Sequence, residues 1–269
     1  MFTCIDQTGK TVRLDNYPPK RIVSLVPSQT ELLHDLGLED EVVGITKFCV
    51  HPRSWFETKK RVGGTKAVHI DVVKNLEPDL IIANKEENVK EQVEELAAIA
   101  PVWTSDIHNL DDAIDMIEQV GSLVNKKEKT EELTAQIKTN FSKLNNPVHP
   151  IGISLHKPKV AYLIWRDPYI TAGGDTFISD MITRCGFLNA FSDEARYPVT
   201  TISQLAEKGC LYIFLSSEPY PFKPKHTEEI RQQLPGAKVI FVDGEMFSWY
   251  GSRLLLATQY FKELKSSIL

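Results

Sequence analysis

The stretch RIVSLVPSQTELLHDLG, residues 21–37, has the pattern of a buried strand followed by an amphipathic helix. Residues 21–26 are mostly apolar and rich in β-branched side chains, and they end at Pro27, which is typical of a strand. Ser28 then stands where a helix N-cap is expected, with Glu31 three residues later as its capping-box partner. The glycine that closes the stretch ends the predicted helix.

The same alternation of strand and helix continues outward from this stretch. Further strands are predicted over residues 42–46, 79–83, 101–104, 160–165, 211–215 and 239–242. Helices are predicted over residues 71–76, 89–99, 176–185 and 254–264. Strands that alternate with helices at this spacing imply right-handed crossovers and a mostly parallel sheet, so the predicted fold class is α/β.

The middle of the chain interrupts this alternation. Residues 110–144 are helical in pattern, with interruptions at Gly121 and Asn125, and their last part carries one apolar stripe. A helix over residues 126–144 would be about 28 Å long. Residues 145–158 follow with three prolines and predict a linker. We therefore expect an N-terminal α/β lobe at 1–125, a connecting helix at 126–145, and a linker with a C-terminal α/β lobe at 146–269.

The amino-acid composition excludes several classes of protein. The chain has 269 residues, 42% of them hydrophobic and 25% charged, with a net charge of −5, which is typical of a globular protein and argues against a nucleic-acid partner. No apolar run approaches the roughly 18 residues of a membrane span. The four cysteines form no CxxC pair, so we expect buried free thiols. No signal peptide is visible, so either the protein stays in the cytoplasm or an export segment is missing from this sequence.

Short motifs in a fixed order carry a resemblance to a known family. They are IDQTGKTV at residues 5–12, PKRIVSL at 19–25, PSQTE at 27–31, VGIT at 43–46, RVGG at 61–64, LEPDLI at 76–81, TAG at 171–173 and TFI at 176–178. In this order they resemble the helical-backbone (class III) periplasmic solute-binding proteins of ABC importers, which deliver iron-siderophores, haem and vitamin B12. The vitamin B12-binding branch is the most similar one.

The resemblance implies two Rossmann-like α/β lobes joined by a single long helix, with a ligand cleft between the lobes. It implies a monomeric, non-catalytic protein without a cofactor, which binds a metal chelate, either cobalamin-like or a ferric siderophore, and delivers it to the membrane subunits of an ABC importer. It also implies a periplasmic or other extracytoplasmic location.

Candidate ligand contacts lie where predicted strands end, since α/β folds commonly bind ligands there. They are Phe48, Trp165, Arg166, Tyr197, Trp249 and Arg253. Phe48 and Tyr197 also match aromatic cleft positions of the B12-binding branch. Arg166 and Arg253 could hold an anionic group through paired hydrogen bonds. The alternatives are core or rim packing for the aromatics and, for Arg166, a surface ion pair with Asp167.

The segment EMFSWYGSR at 245–253 is unusually apolar for a loop. It is predicted to form a cleft wall, with Trp249 in contact with the ligand. In the alternative interpretation, its side chains only dock the final helix onto the second lobe.

The resemblance also suggests where the importer would dock. Family members carry one acidic side chain on each lobe that pairs with arginines of the membrane partner. Asp71 falls on the first of these positions, although it also suits the start of a helix. Ser203 falls on the second position, and Glu207, one turn further, is the nearest acidic substitute.

Two further positions depart from the B12-binding branch. Thr65 stands where that branch has a large aromatic, which bears on whether cobalamin is the ligand. Cys185 matches a disulfide-bonded cysteine, but its partner position falls on Phe261. The missing signal segment, the unpaired Cys185 and Ser203 keep a second function open, a cytoplasmic family member without a transport role that acts as a corrinoid- or chelate-handling factor, sensor or enzyme.

Catalytic and metal motifs are not evident. The seven histidines, at 34, 51, 69, 108, 149, 156 and 226, show no zinc-ligand spacing, and only His51 is expected near a cleft. No nucleophile elbow, Walker loop or dinucleotide-binding glycine motif is present. Ser28 lies at a strand-to-helix turn, where a capping role accounts for it. The sequence therefore predicts a binding protein with no resident metal and no enzymatic activity.

Overall fold

The computed structural model describes residues 1–144 and 157–268. Its contacts divide the chain into two compact units. The first comprises Met1–Ile107, Asp111–Gln136 and Trp249–Arg253, and the second comprises the described parts of His108–Leu110, Ile137–Ser248 and Leu254–Leu269. Most of the linker predicted over residues 145–158 lies outside the described residues.

The first half of the chain alternates strands and helices as the sequence predicts. Its elements are β1 (Phe2–Ile5), β2 (Thr11–Leu14), β3 (Ile22–Ser24), α1 (Pro27–Asp35), β4 (Val42–Ile45), α2 (Arg53–Thr58), β5 (Lys60–Arg61), α3 (Ile70–Asn75), β6 (Leu80–Asn84), α4 (Lys90–Ala97), β7 (Val102–Ser105), α5 (Leu110–Leu123) and α6 (Lys127–Leu144). The strands and helices predicted here exist, with ends shifted by a few residues.

The five-stranded sheet of the first unit is parallel throughout, in the order β5-β4-β3-β6-β7, and β1 and β2 form a separate antiparallel pair. β3, β4 and β6 are almost entirely buried apolar residues, which is typical of strands covered on both faces. The chain leaves β3 toward β4 and later returns to its other side with β6. Parallel α/β sheets commonly bind ligands at such a reversal, which here lies at the carboxyl ends of β3 and β6, where the loops into α1 and α4 begin.

The capping box predicted at Ser28 and Glu31 is wrong. Helix α1 begins two residues earlier, with Pro27 in its first turn and Val26 as an N-cap that makes no side-chain hydrogen bond. Proline suits this position because its φ angle is already helical and it has no N–H to satisfy. Ser28 is consequently buried inside the first turn, and Glu31 is free to pair with another part of the chain.

Helix α5 runs through Gly121, where the sequence predicts an interruption. The interruption predicted at Asn125 is present, since α5 and α6 are separated by residues 124–126 and Asn125 adopts a positive φ of 57°. Gly121 stays inside α5, and a Cβ atom there would lie 2.0 Å from Oγ1 of Thr130 on α6. The glycine therefore serves close helix packing rather than helix termination. Residues 127–136 of α6 belong to the first unit and residues 137–144 to the second.

The second unit repeats the α/β pattern with shorter additions. Its elements are β8 (Lys159–Trp165), β9 (Tyr169–Thr171), α7 (Phe177–Cys185), β10 (Leu188–Asn189), β11 (Val199–Thr200), α8 (Ile202–Glu207), β12 (Tyr212–Ser216), α9 (Pro224–Gln233), β13 (Lys238–Val242), α10 (Glu245–Ser248) and α11 (Leu254–Ile268). The strand order is β11-β9-β8-β12-β13, and β10 pairs with the start of β8. β8, β12 and β13 run parallel, so their carboxyl ends share one edge.

The cysteines are free thiols, as the sequence predicts, and three of the four are buried. Burial raises the pKa of Cys49 to about 11 and that of Cys185 to about 12, which leaves both protonated and unreactive at neutral pH. The Cys185 Sγ lies 4.0 Å from the carbonyl oxygen of Phe261, at the position where the resemblance would require a second cysteine.

Among the residues that the structure describes, none of the helices combines the length and the apolar character needed to span a membrane.

Candidate functional site

The carboxyl edge of the first sheet presents one of the predicted aromatics to solvent. Phe48 lies in the loop after β4 and is 50% exposed, with the Lys47 ammonium 5.1 Å from its ring centre. Cys49, the next residue, is fully buried and contacts the hydroxyls of Thr30 and Thr46. The loop is thus anchored by Cys49 while the Phe48 ring remains available to a ligand.

A buried cluster forms beside α1 from residues that are far apart in sequence. Nε and Nη2 of Arg253 donate to the two carboxylate oxygens of Glu31, at 2.9 and 2.6 Å. The Arg253 guanidinium lies 4.7 Å from the ring centre of Trp249, and the His51 ring meets the same indole edge-on at 5.4 Å. We call Glu31, Arg253, Trp249 and His51 the Glu31 cluster.

The Glu31 cluster is closed to solvent rather than open. Trp249 is only 6% exposed and Arg253 only 8%. Burial raises the pKa of Glu31 despite its hydrogen bonds to Arg253, so the cost of removing the carboxylate from water exceeds what the pairing returns. Gly251 packs so closely that a Cβ atom there would lie 2.4 Å from the carbonyl oxygen of Ser28.

These contacts place residues 249–253 with the first unit. The expected boundaries had put the whole of residues 146–269 in the C-terminal lobe. The physical reason for the difference is the ion pair with Glu31 and the fit of Gly251 against α1, neither of which leaves a local signal in the sequence.

In the second unit, Trp165 ends β8 and is 41% exposed. Its ring meets Tyr220 edge-on at 5.5 Å, and Tyr220 in turn meets Phe222 at 4.8 Å. Phe222 packs against the apolar core of this unit. We call Trp165, Tyr220 and Phe222 the Trp165 row. It forms an aromatic surface that begins in the core and ends in solvent.

The guanidinium of Arg166 is already engaged by carboxylates. Nη1 donates to Asp167 at 2.8 Å and Nη2 donates to Glu229 on α9 at 2.7 Å. The ion pair with Asp167, which the sequence left as an alternative to ligand binding, is therefore formed. Arg253 is likewise engaged by Glu31, so anion binding by either arginine stays a prediction and would need to compete with these pairs.

Tyr197 lies just before β11 and is half-buried, with the Arg196 guanidinium 5.9 Å from its ring centre. β11 pairs with β9 through Val199 and Ile170, and Ile170 pairs with Trp165 on β8. Tyr197 therefore precedes a strand that starts level with Trp165 in the same sheet. The structure thus brings Trp249 into contact with Arg253, and it leaves Phe48 in one unit and Trp165, Arg166 and Tyr197 in the other.

The residues predicted for importer docking are solvent-exposed. Asp71 lies in the first turn of α3, and Glu207 is the last residue of α8. Ser203, near the start of α8, is exposed as well.

The two inner members of the Trp165 row are not among the residues predicted from the sequence. Tyr220 and Phe222 belong to the segment EPYPF at residues 218–222, which directly follows the buried strand β12. Aromatics that follow the carboxyl end of a strand are the same signal that singled out Phe48. Glu31 and Glu229, the partners of the two arginines, had no comparable signal because they lie far from them in sequence.

Within residues 1–144 and 157–268, no group of three or more histidine, cysteine, aspartate or glutamate side chains is placed to hold a metal ion. His149 and His156 lie outside these residues.

This chain resembles known binding proteins. The family described as "Periplasmic binding protein" matches residues 22–237. A vitamin B12-binding protein of Pectobacterium carotovorum is 26% identical over 245 residues, which cover 90% of this chain and 86% of that protein. An uncharacterized ABC transporter substrate-binding lipoprotein of Bacillus subtilis is 29% identical over 65% of this chain and 57% of its own. The periplasmic heme-binding protein HutB of Vibrio cholerae has a similar fold, with a TM-score of 0.76 and 18% identity over 91% of this chain and 98% of that one.

Proposed function

Because the chain belongs to the periplasmic binding protein family, we propose that it is the substrate-binding protein of an ABC-type importer for a metal chelate, either cobalamin-like or a ferric siderophore. The related proteins are binding proteins rather than enzymes, and a vitamin B12-binding protein and an ABC transporter lipoprotein are among them. In this proposal the protein works outside the cytoplasmic membrane, holds its ligand unchanged and releases it to the membrane subunits.

The exposure of Trp165 is the observation that carries the choice of ligand class. All four tryptophans lie in the described residues, and Trp55, Trp103 and Trp249 are buried whereas Trp165 is not. An exposed indole lowers the solubility of a protein, so its exposure is typical of a binding surface. The edge-on contact with Tyr220 fixes the orientation of the Trp165 ring. Broad, partly apolar ligands such as corrinoids and siderophore chelates make use of such surfaces. Phe48 in the first unit and Tyr197 in the second are the further aromatic contacts of the proposal.

The test is a fluorescence titration at neutral pH with cyanocobalamin, hemin, a ferric catecholate and a ferric trihydroxamate. Quenching of the Trp165 emission should saturate with at least one of them. No response to any of them at about 1 mM would overturn the ligand class, since that limit corresponds to only about −4 kcal/mol of binding free energy. Chemical conversion of a bound chelate would favour the cytoplasmic chelate-handling alternative instead.

Truncating Trp165 should weaken binding specifically. We expect Trp165→Ala to reduce the binding free energy of the responsive chelate by about 1–3 kcal/mol, because an aromatic anchor is lost. Isothermal titration calorimetry measures this without relying on the removed fluorophore. Leu211→Ala is the matched control, since Leu211 is also exposed and apolar but precedes β12, at the opposite edge of the sheet. Equal losses in both variants would argue against a contact at Trp165.

The importer contact is proposed at Asp71 and at Glu207. Reversing either charge should lower chelate uptake by cells about tenfold or more, because like charges would then face the membrane partner. The same variants, Asp71→Lys and Glu207→Lys, should bind the chelate normally in solution. Glu91→Lys, at an exposed position in the first turn of α4, serves as the charge control. Uptake unaffected by both reversals would contradict these docking positions, and a gain with Ser203→Glu would support the second of them.

A further inference from the structure

His226 is a buried histidine that the proposed site does not yet use. It is 2% exposed and occupies the third position of α9, which begins at Pro224. Its side-chain Nδ1 accepts a hydrogen bond from the backbone N–H of Lys223 at 2.9 Å, and the backbone N–H of His226 donates to the Lys223 carbonyl oxygen at 2.8 Å. The imidazole therefore caps the start of the helix.

The same chain contains a non-titrating version of this cap. At the start of α8, Oε1 of Gln204 accepts from the backbone N–H of Thr201 at 2.9 Å, again from the third helical position. Glutamine is a regular residue for this reciprocal cap. In both helices the side chain at the third position thus accepts from the backbone N–H of the N-cap residue. In α8 this side chain is a glutamine, whereas in α9 it is a histidine, which can take up a proton in the physiological pH range.

His226 lies directly beneath the Trp165 row. Its ring centre is 5.7 Å from that of Tyr220 and 5.8 Å from that of Phe222. Tyr220 is also the residue that meets the exposed Trp165. Any displacement of the imidazole would therefore change the packing of both inner rings of the Trp165 row, Tyr220 and Phe222.

The hydrogen bonding requires a neutral imidazole. Because Nδ1 accepts, the ring proton is on Nε2, and this buried atom has no hydrogen-bond partner among the described residues. A second proton would have to go to Nδ1, where it would face the Lys223 N–H donor and break the cap. Both nitrogens would then be buried donors without acceptors, which is costly.

The surrounding charges oppose protonation as well. Burial lowers the pKa of His226, and Arg166 at the end of β8 lowers it further, as do Lys225 and Lys223 on its own segment. Glu229 on α9 acts in the opposite direction, but its carboxylate is shared with Arg166. The aromatic rings of Tyr220 and Phe222 also face the imidazole, from the loop before α9.

We propose that neutral His226 is a positioning residue that holds Tyr220 and Phe222 beneath Trp165, so that its protonation loosens the row and weakens chelate binding in mildly acidic solution. The part that concerns the chelate rests on the proposed function. The part that concerns the row is a property of the ligand-free protein and can be measured separately.

The direction of the pH dependence follows from linkage. The folded-state pKa lies below the ordinary value of 6.5, so the unfolded or loosened state binds more protons between the two values. The stability of the cap and the row is complete above pH 6.5 and is lost as the pH falls through the folded-state pKa. Acidification therefore favours the loosened state, and raising the pH restores the ordered one.

The first arm of the test uses the ligand-free protein between pH 7.5 and 5.0. Tryptophan emission and acrylamide quenching should report a transition below pH 6.5 while the far-ultraviolet circular dichroism stays constant. His226→Gln should abolish the transition, because glutamine keeps the cap and cannot titrate, and His226→Asn is the second variant should the first fold poorly. His51→Gln is the matched control, since His51 contacts a different tryptophan, Trp249. An unchanged transition in His226→Gln, or none in the wild type, overturns the proposal.

The second arm measures binding of cyanocobalamin and of a ferric trihydroxamate at pH 7.5 and 5.5. The wild-type dissociation constant should rise about tenfold at the lower pH, because protonation of His226 favours the loosened state, and the His226→Gln constant should change much less. Binding that is independent of pH in the wild type overturns the positioning role. A transition in the first arm with no binding of either probe at pH 7.5 would count against the proposed ligand class, and the His226 assignment would stand on the first arm.

Discussion

Replacing Arg253 by methionine is expected to lower the free energy of unfolding by about 3–5 kcal/mol, as removal of one partner of a buried ion pair typically does. Methionine keeps much of the side-chain volume over Trp249 but leaves the Glu31 carboxylate buried without its two donors. Urea denaturation at neutral pH measures the loss.

The raised pKa of Glu31 supplies a control for this experiment. Since burial already disfavours the Glu31 carboxylate, removing both charges should cost far less than removing one. The double variant Glu31→Leu/Arg253→Met should therefore regain most of the stability lost in Arg253→Met. A single variant that loses less than about 1 kcal/mol would mean that the pair behaves like an exposed one.

Truncation of Trp249 to alanine should be comparably damaging. We expect a loss of about 3–5 kcal/mol in the free energy of unfolding, because a large buried aromatic is removed and a cavity remains. The sequence predicts a cleft wall at Trp249, and truncation of such a side chain would leave stability nearly unchanged. We expect the larger loss because the indole is only 6% exposed and contacts both the Arg253 guanidinium and the His51 ring.

Thermal melts of the ligand-free variants, read beside calorimetric titrations, separate the two roles of Trp249. Trp165→Ala is the matched comparison, since Trp165 is exposed and its loss should change stability by only about 0.5 kcal/mol. A Trp249→Ala protein that melts like the wild type yet binds its chelate poorly would restore the cleft-wall interpretation. A large loss of stability would assign the indole mainly to the attachment of residues 249–253 to α1.

Trp165 and Trp249 show that the predicted site residues fall into an exposed group and a buried group. Trp165 remains a ligand contact in our proposal because its ring stays in solvent on a supported row. Trp249 and Arg253 were selected by the same criterion, a position after a strand in an apolar loop. They differ only in what the rest of the chain places against them, and Glu31 is 222 positions away from Arg253 in sequence.

The architecture follows from local features of the sequence. Strands form at residues 22–24, 80–84 and 212–216 because their side chains are mostly apolar on both faces. Such strands bury both faces in a parallel sheet that is covered by helices on each side. The long helix at Lys127–Leu144 follows in the same way from its single apolar stripe. Such signals are carried by neighbouring residues, so the sequence alone determined the α/β class, the order of the elements and the aromatic character of the strand ends.

Only the tertiary structure decided which of those side chains stay accessible. The Glu31 pair, the burial of Trp249 and the position of His226 beneath Tyr220 each depend on residues that the fold brings together. Contacts between residues so far apart in sequence cannot be inferred from the spacing of side chains along the chain. Even the start of α1 shows the limit, since Pro27 set the first turn and left Glu31 available to Arg253. Hydrophobic periodicity is a local property that a sequence displays directly, whereas the pairing of charges and the exposure of a ring are properties of the packed chain.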